Sequence, residues 1–267
     1  MFGKFRNALF GPAENKICSI INFCTHDYRF LRTCVEQAGS FSEQILVAYS
    51  DHFFDAVPEN SELLEKAKAE NPEARFVKLP FDASAGKNQQ YWVTLSRWNA
   101  LQEVDEDISW ILFLDADEIV DSRAFAEALP SMNLAKNQML KLANYYYFRE
   151  SKFRAHSLED SVTLVRKSLL TREMVLDYQD RHKAWELISG PKERMFTGKG
   201  GLPLVHHFSW VRTREEMLRK VKSWGHAGER NWEKLVIEEF SRPFSGKDFV
   251  HGYDYESVVP PFPSIGL

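Results

Sequence analysis

The chain is 267 residues long, 44% hydrophobic and 27% charged, with a formal net charge of -4. That is enough to bury a substantial core; the composition is that of a soluble globular protein, and the mild acidity excludes nucleic acid as the main partner. No apolar run is long enough to cross a bilayer and residues 1–16 lack the apolar stretch of a secretory signal, so no transmembrane segment and a cytoplasmic location are expected.

In chain order, a tail over 1–15 carries Phe2, Phe5, Leu9 and Phe10 with Lys4 and Arg6, a pattern open to weak peripheral membrane contact, to packing on the domain or to disorder. Residues 16–23 predict a buried strand, followed by the polar loop 24–27 and a helix over 28–38 with Leu31, Cys34, Val35 and Ala38 at helical spacing. A second strand spans 44–49 and ends in Ser50, Asp51 and His52. Helix 58–70, with Pro58 and Glu59 near its start, leads to an edge strand over 75–79, a loop over 80–87 and a helix over 88–103 carrying Trp92, Leu95, Trp98 and Leu101.

The next stretch, 109–121, organises the rest. Its apolar run from Ile111 to Leu114 reads as a strand buried on both faces, and it delivers Asp115, Ala116, Asp117 and Glu118. Strand and helix alternate up to this point, which predicts a parallel, right-handed, open three-layer α/β sheet whose ligands collect at the strands' C-terminal ends. Side chains alternate along a strand, so Asp115 and Asp117 project to one side while Ala116 leaves the backbone approachable. Two neighbouring carboxylates repel one another, a cost that a divalent cation bound to a diphosphate offsets. The competing explanation is an acidic turn capping the helix expected near Ser122.

The second half changes character. Residues 138–148 and 161–165 look like antiparallel strands, 177–187 is a polar-aromatic stretch without an assignment, and 202–210 is a strand bearing His206 and His207. Helix 213–224 has Thr213 as N-cap, Glu216 three residues on, and Met217, Leu218, Val221 and Trp224 as its apolar stripe. The tail over 257–267, with Pro260, Pro261 and Pro263, is expected to be extended and mobile. The implied organisation is a tail over 1–15, one domain over 16–210, and a helical extension over 211–267. Cys18, Cys24 and Cys34 match no zinc or redox spacing, and their odd number argues against a disulfide framework. The 20 Phe, 9 Tyr and 7 Trp supply stacking surfaces for bases and sugar faces as well as core.

These blocks, in this order, resemble the GT-A fold of nucleotide-sugar glycosyltransferases, family 2 most closely, over roughly residues 16–224. KICSIINFCTHDYRFLRTCVEQA is similar to the family's opening strand and nucleotide loop, QILVAYSDH to its second strand with the terminal Asp, and WILFLDADEIVD to its metal-binding D-x-D strand. TLSRWNAL resembles its Arg-Asn helix, with Trp98 between Arg97 and Asn99, and VHHFSWVRTREEMLRKVKSW a C-terminal segment of family 2-like bacterial and viral enzymes. The opening loop has Asn22-Phe23-Cys24-Thr25 where the family has a Pro and a Tyr-Asn pair.

The resemblance implies a three-layer α/β/α sandwich with a mixed central sheet. It also implies metal-dependent, inverting transfer of a sugar from a nucleoside-diphosphate donor, a UDP-sugar by preference, to a glycan, lipid or protein hydroxyl. Nucleotide-sugar contacts fall to Thr25, Asp27, Asp51, Arg97, Asp115 and Arg212, and Mn2+ or Mg2+ to Asp115, Asp117 and His207. His206, its strand neighbour, points away. The family's catalytic carboxylate has no clear counterpart; Asp180 and Glu186 are the candidates, and either is equally a surface acid or a partner of Arg181 or Lys183. Two alternatives stand: an aspartyl-nucleophile phosphatase, whose apolar strand also ends in D-x-D, and a catalytically silent nucleotide-sugar-binding module.

Overall fold

The computed structural model describes residues 15–177, 180–223 and 228–266, with only the backbone at Ala83 and Asp180. The tail over 1–14, and Trp224 of the expected helical stripe, lie outside the described residues.

The first half alternates as its pattern dictates: β1 (Ile17–Asn22), α1 (Tyr28–Ala38), β2 (Gln44–Tyr49), α2 (Ser61–Glu70), β3 (Arg75–Lys78), α3 (Gln89–Leu101) and β4 (Trp110–Asp115). β1 pairs in parallel with both β2 and β4, and β2 with β3. The strands are buried on both faces, and their alternation shows it. Ile17 and Ile21 of β1, with Trp110, Leu112 and Leu114 of β4, pack under α1 and α2, whereas Cys18, Ile20, Ile111 and Phe113 face the opposite core with Ala100 and Leu101 of α3. Asn60 caps α2 by accepting from Leu63 N at 3.0 Å, so this helix begins after Glu59, which turns inward and is buried.

β4 stops at Asp115, and the chain turns through Ala116 and Asp117 into a short separate strand, β5 (Glu118–Val120). Ala116 is fully buried in the core, so its small side chain serves packing instead of leaving an open backbone. Asp121 caps the following helix, α4 (Ser122–Ala128), accepting from Ala124 N at 2.9 Å. The capping explanation thus holds for Asp121.

Antiparallel pairing begins with β6 (Met139–Phe148) and β7 (Glu150–Arg166), a longer strand than the 161–165 segment expected. The unassigned stretch contains α5 (Asp180–Leu187); β8 (Lys192–Phe196) and β9 (Val205–Trp210) follow, then α6 (Arg214–Ser223), α7 (Trp232–Glu239) and β10 (Tyr255–Ser257). Among the described residues the sheet runs β3-β2-β1-β4-β7-β6-β9-β5, with β8 beside β6 and β10 beside β7. The result is the mixed sheet between helical layers that the resemblance implies. The three cysteines are free thiols, and no helix among the described residues is long and apolar enough to cross a membrane.

The C-terminal segment is docked, contrary to the mobility its prolines suggest. β10 pairs with β7, Val258 N donates to Lys152 O at 2.8 Å, and Ile265 is 1% exposed in the core beside α1. Burial of apolar surface outweighs the loss of chain entropy there. Ile265→Ala should therefore lower the unfolding free energy by about 2–4 kcal/mol in urea denaturation; an unchanged midpoint would mean the tail contributes nothing.

Candidate active site

The parallel strands β1, β2 and β4 end on a cleft of about 720 Å3 lined by Asn22, Ser50 and Asp115 at their tips. It lies where the chain's winding reverses between β1 and β4, the position at which open α/β sheets bind ligands. Residues of the second half form its other walls, among them Glu159, Arg181, His207, Lys220 and His251.

Pairing of β5 with β9 explains how the two halves meet. Glu118 lies opposite His207 in the ladder, and Asp117 O accepts from Phe208 N at 2.8 Å. The D-x-D turn and the histidine strand are therefore immediate neighbours. His207 faces the cleft, while His206 is turned to the other side, where its Nδ1 lies 2.8 Å from the Tyr147 hydroxyl.

Each acid of the turn has its own cations. Asp115 Oδ1 accepts from Arg97 Nη2 at 2.5 Å and Oδ2 from Arg181 Nη2 at 3.4 Å. Burial opposes ionisation of Asp115, but the two guanidinium groups outweigh it and hold the carboxyl below its ordinary range. Asp117 Oδ2 accepts from Arg212 Nη2 at 3.3 Å and from Lys220 Nζ at 3.2 Å. Glu118, fully buried, accepts from Asp115 N at 2.8 Å, from Ser161 Oγ at 2.6 Å and from Arg181 Nη1 at 2.8 Å.

The chemistry of the donor set bears on a metal. Asp117 Oδ1 and His207 Nε2 face one another across 3.8 Å with no hydrogen bond between them, a gap that a divalent cation spans with bonds of about 2.1 Å to each. His207 Nδ1 is buried without a hydrogen-bond partner, with Glu159 Oε2 the facing carboxylate oxygen at 3.8 Å. Asp115 instead spends both oxygens on arginine. Among the described residues no three His, Cys, Asp or Glu side chains are gathered closely enough to hold an ion by themselves. The arrangement fits a cation held by Asp117 and His207 and completed by ligand oxygens.

The remaining expected residues are distributed unevenly. Asp27 lines the cleft and pairs with Arg212, which is fully buried, donates from Nη1 to His26 O at 2.6 Å, and so ties the 25–27 turn to Asp117. Thr25 is buried below the cleft, with its N–H and hydroxyl both donated to Glu59. Asp51 sits at an exposed edge, 2.7 Å from Lys78 Nζ and 2.8 Å from His52 Nδ1, and does not line the cleft. Glu186 is on the exposed side of α5 with His182 and Lys183, also outside the cleft lining. The side chain of Asp180 lies outside the described residues.

No protein-family model matches the chain, and no curated protein matches its sequence. Solved structures with a similar fold include glucosyl-3-phosphoglycerate synthase from Mycobacterium tuberculosis in complex with Mn2+, UDP and phosphoglyceric acid, at 13% identity and a TM-score of 0.46, covering 97% of this chain and 90% of that one. The mannosyltransferase PcManGT from Pyrobaculum calidifontis, in complex with GDP-Man and Mn2+, aligns at 10% identity and a TM-score of 0.47 over 83% of this chain and 68% of its own. S. aureus TarS aligns at 12% identity and a TM-score of 0.42, over 85% of this chain but 43% of its own length.

Glu118, Arg181, Lys220, Glu159 and Glu59 were not among the residues the sequence nominated. Alternation along β7 places Glu159 and Ser161 on the cleft side, a signal that becomes usable once that strand is known to extend to Glu150. Arg181 and Lys220 sit on helices whose partners are distant in sequence, and nothing local marks them.

Glu59 supplies a test. Burial pushes its carboxyl up from an ordinary value near 4.5 to about 7, against the two hydrogen bonds from Thr25 that favour the ionised form. Between those values the folded state keeps a proton that the unfolded chain releases, so stability falls as pH rises through that window. Glu59→Gln removes this titration. Its unfolding free energy relative to the wild type, read by urea denaturation, should rise between pH 5 and pH 8 by roughly 3 kcal/mol at most; a pH-independent difference would contradict the assignment.

Proposed function

We propose that the protein is a glycosyltransferase that moves a sugar from a nucleoside-diphosphate donor, with UDP favoured by the sequence resemblance, to an acceptor hydroxyl with inversion. The observation that carries this reading is the facing pair of Asp117 Oδ1 and His207 Nε2 at the switch point of an open α/β sheet, with Lys220 beside it in the cleft. Asp117 and His207 would hold Mn2+ or Mg2+, with the donor's diphosphate oxygens completing the site. When bound, the cation stabilises negative charge growing on the leaving diphosphate.

The chain's own residues do the rest. Lys220 adds a second positive charge on the diphosphate side, while Arg212, buried beneath, pairs with Asp117 Oδ2 and holds it in place. Asp115, fixed by Arg97 and Arg181, offers a rigid acceptor edge to the donor's ribose. The His26 ring stacks on Phe53 with centroids 4.2 Å apart at the cleft wall, a flat surface suited to a nucleobase. An aspartyl-nucleophile phosphatase would need Asp115 free to attack, and two guanidinium groups occupy its oxygens. A silent binding module would bind donor without turnover.

Calorimetry with UDP, GDP, dTDP and CDP, with and without Mn2+, tests the reading. At least one should bind in a Mn2+-dependent manner, Asp117→Asn should abolish that dependence, and His207→Ala should weaken binding by roughly 10–100-fold, with circular dichroism unchanged. Absence of binding by all four, or an Asp117 variant as Mn2+-dependent as the wild type, would refute it.

A further inference from the structure

The cleft extends beyond the cation pair along a row in which acids and imidazoles alternate. Asp117 Oδ1 lies 3.8 Å from His207 Nε2, His207 Nδ1 lies 3.8 Å from Glu159 Oε2, and Glu159 Oε1 lies 3.0 Å from His251 Nδ1. The last member comes from the C-terminal segment and is held by a compact loop. Asp248 is buried; its Oδ1 accepts from Val250 N and His251 N at 2.6 Å, and its Oδ2 from Tyr253 N at 3.0 Å and the Tyr255 hydroxyl at 3.1 Å. Gly252 takes the left-handed conformation, φ +75°, that lets the loop close. Tyr255 then pairs with Ala155 on β7, the strand that carries Glu159, so histidine and carboxylate are fixed to the same support.

Building on the glycosyltransferase reading, we propose that His251, oriented by Glu159, is the base that accepts the proton of the attacking hydroxyl. With Nδ1 directed at Glu159, the proton is carried there and Nε2 keeps a lone pair in the cleft. As the hydroxyl oxygen forms its bond to the anomeric carbon, the bond from that carbon to the diphosphate oxygen breaks and its electron pair leaves with the diphosphate. The hydroxyl proton passes to His251 Nε2. The imidazolium is then stabilised by Glu159 and, with 35% of its side chain exposed, loses the proton to solvent.

Most of the other described acids and imidazoles around the cleft are engaged with partners of their own. Asp27, Asp115, Asp117 and Glu118 are each already paired with a guanidinium or ammonium group. Glu159 faces His207 with one oxygen and His251 with the other. Glu59 faces Thr25, His52 pairs with Asp51, and His182 pairs with Glu186. Burial lowers His26 to about 4.

The test uses water as the acceptor. Full-length protein is incubated with Mn2+ and, in turn, UDP-glucose, GDP-mannose, a dTDP-sugar and a CDP-sugar, and release of nucleoside diphosphate is measured. His251→Ala should reduce release at least about 100-fold, bind the nucleoside diphosphate with Mn2+ as the wild type does, and recover activity when imidazole is added. Glu159 is left intact because it also faces His207. His251→Ala activity within threefold of the wild type, a loss that imidazole does not restore, or a wild type that binds nucleotide with Mn2+ yet releases none from any donor would each overturn the role of His251. A wild type that neither binds nor turns over any of the four would instead overturn the glycosyltransferase reading itself.

Discussion

Three carboxylates within four residues, Asp115, Asp117 and Glu118, crowd the end of one strand, and the structure is arranged to neutralise them. Glu118 and Asp117 are 0% and 3% exposed. Buried acids so close together are tolerable only if each is paired, since an uncompensated buried charge costs several kcal/mol. Arg97 comes from the helix before the strand, Arg181 from the helix after β7, and Arg212 and Lys220 from the segment after β9. Four separated parts of the chain therefore meet at one turn. The parallel half and the antiparallel half are joined there by charge as well as by the sheet.

That pairing also sets what the site can do. A carboxylate with each oxygen held by an arginine is fixed in place and closed to a cation, whereas an oxygen with no hydrogen bond is open to one. Asp115 belongs to the first class and Asp117 Oδ1 to the second, although the two look equivalent in a D-x-D. The distinction follows from topology: β4 ends beneath α3, which carries Arg97, while the turn that follows feeds β5 into pairing with the histidine strand.

Much of the fold was legible because the first half obeys simple rules. β2 matches its expected range at both ends and α1 likewise, as the apolar periods there are uninterrupted and flanked by polar loops. The second half was less legible. β7 extends to Glu150 through a run of charged and polar residues that no hydrophobic alternation marks, and α7 carries Trp232 and Val236 inward in a segment with no strong stop signal. In the site, the D-x-D could be nominated from its place at the end of an apolar strand, and His207 from the family segment it resembles, with strand alternation turning His206 the other way. Asp51 was nominated from the resemblance of its strand to the family's second strand, and Glu186 as an acid in a stretch without an assignment; both sit at exposed edges with local partners. His251 and Lys220 depend on contacts across the whole chain, which a local pattern does not encode.

The proposed site joins the D-x-D turn and the histidine strand around one cation and a diphosphate. Electron spin-echo modulation of Mn2+ bound in the presence of UDP or GDP reads the ligating atoms directly. The account predicts an imidazole nitrogen coupling in the wild type that disappears in His207→Ala and persists in His206→Ala. Mn2+ bound with nucleotide but without any nitrogen coupling would contradict it.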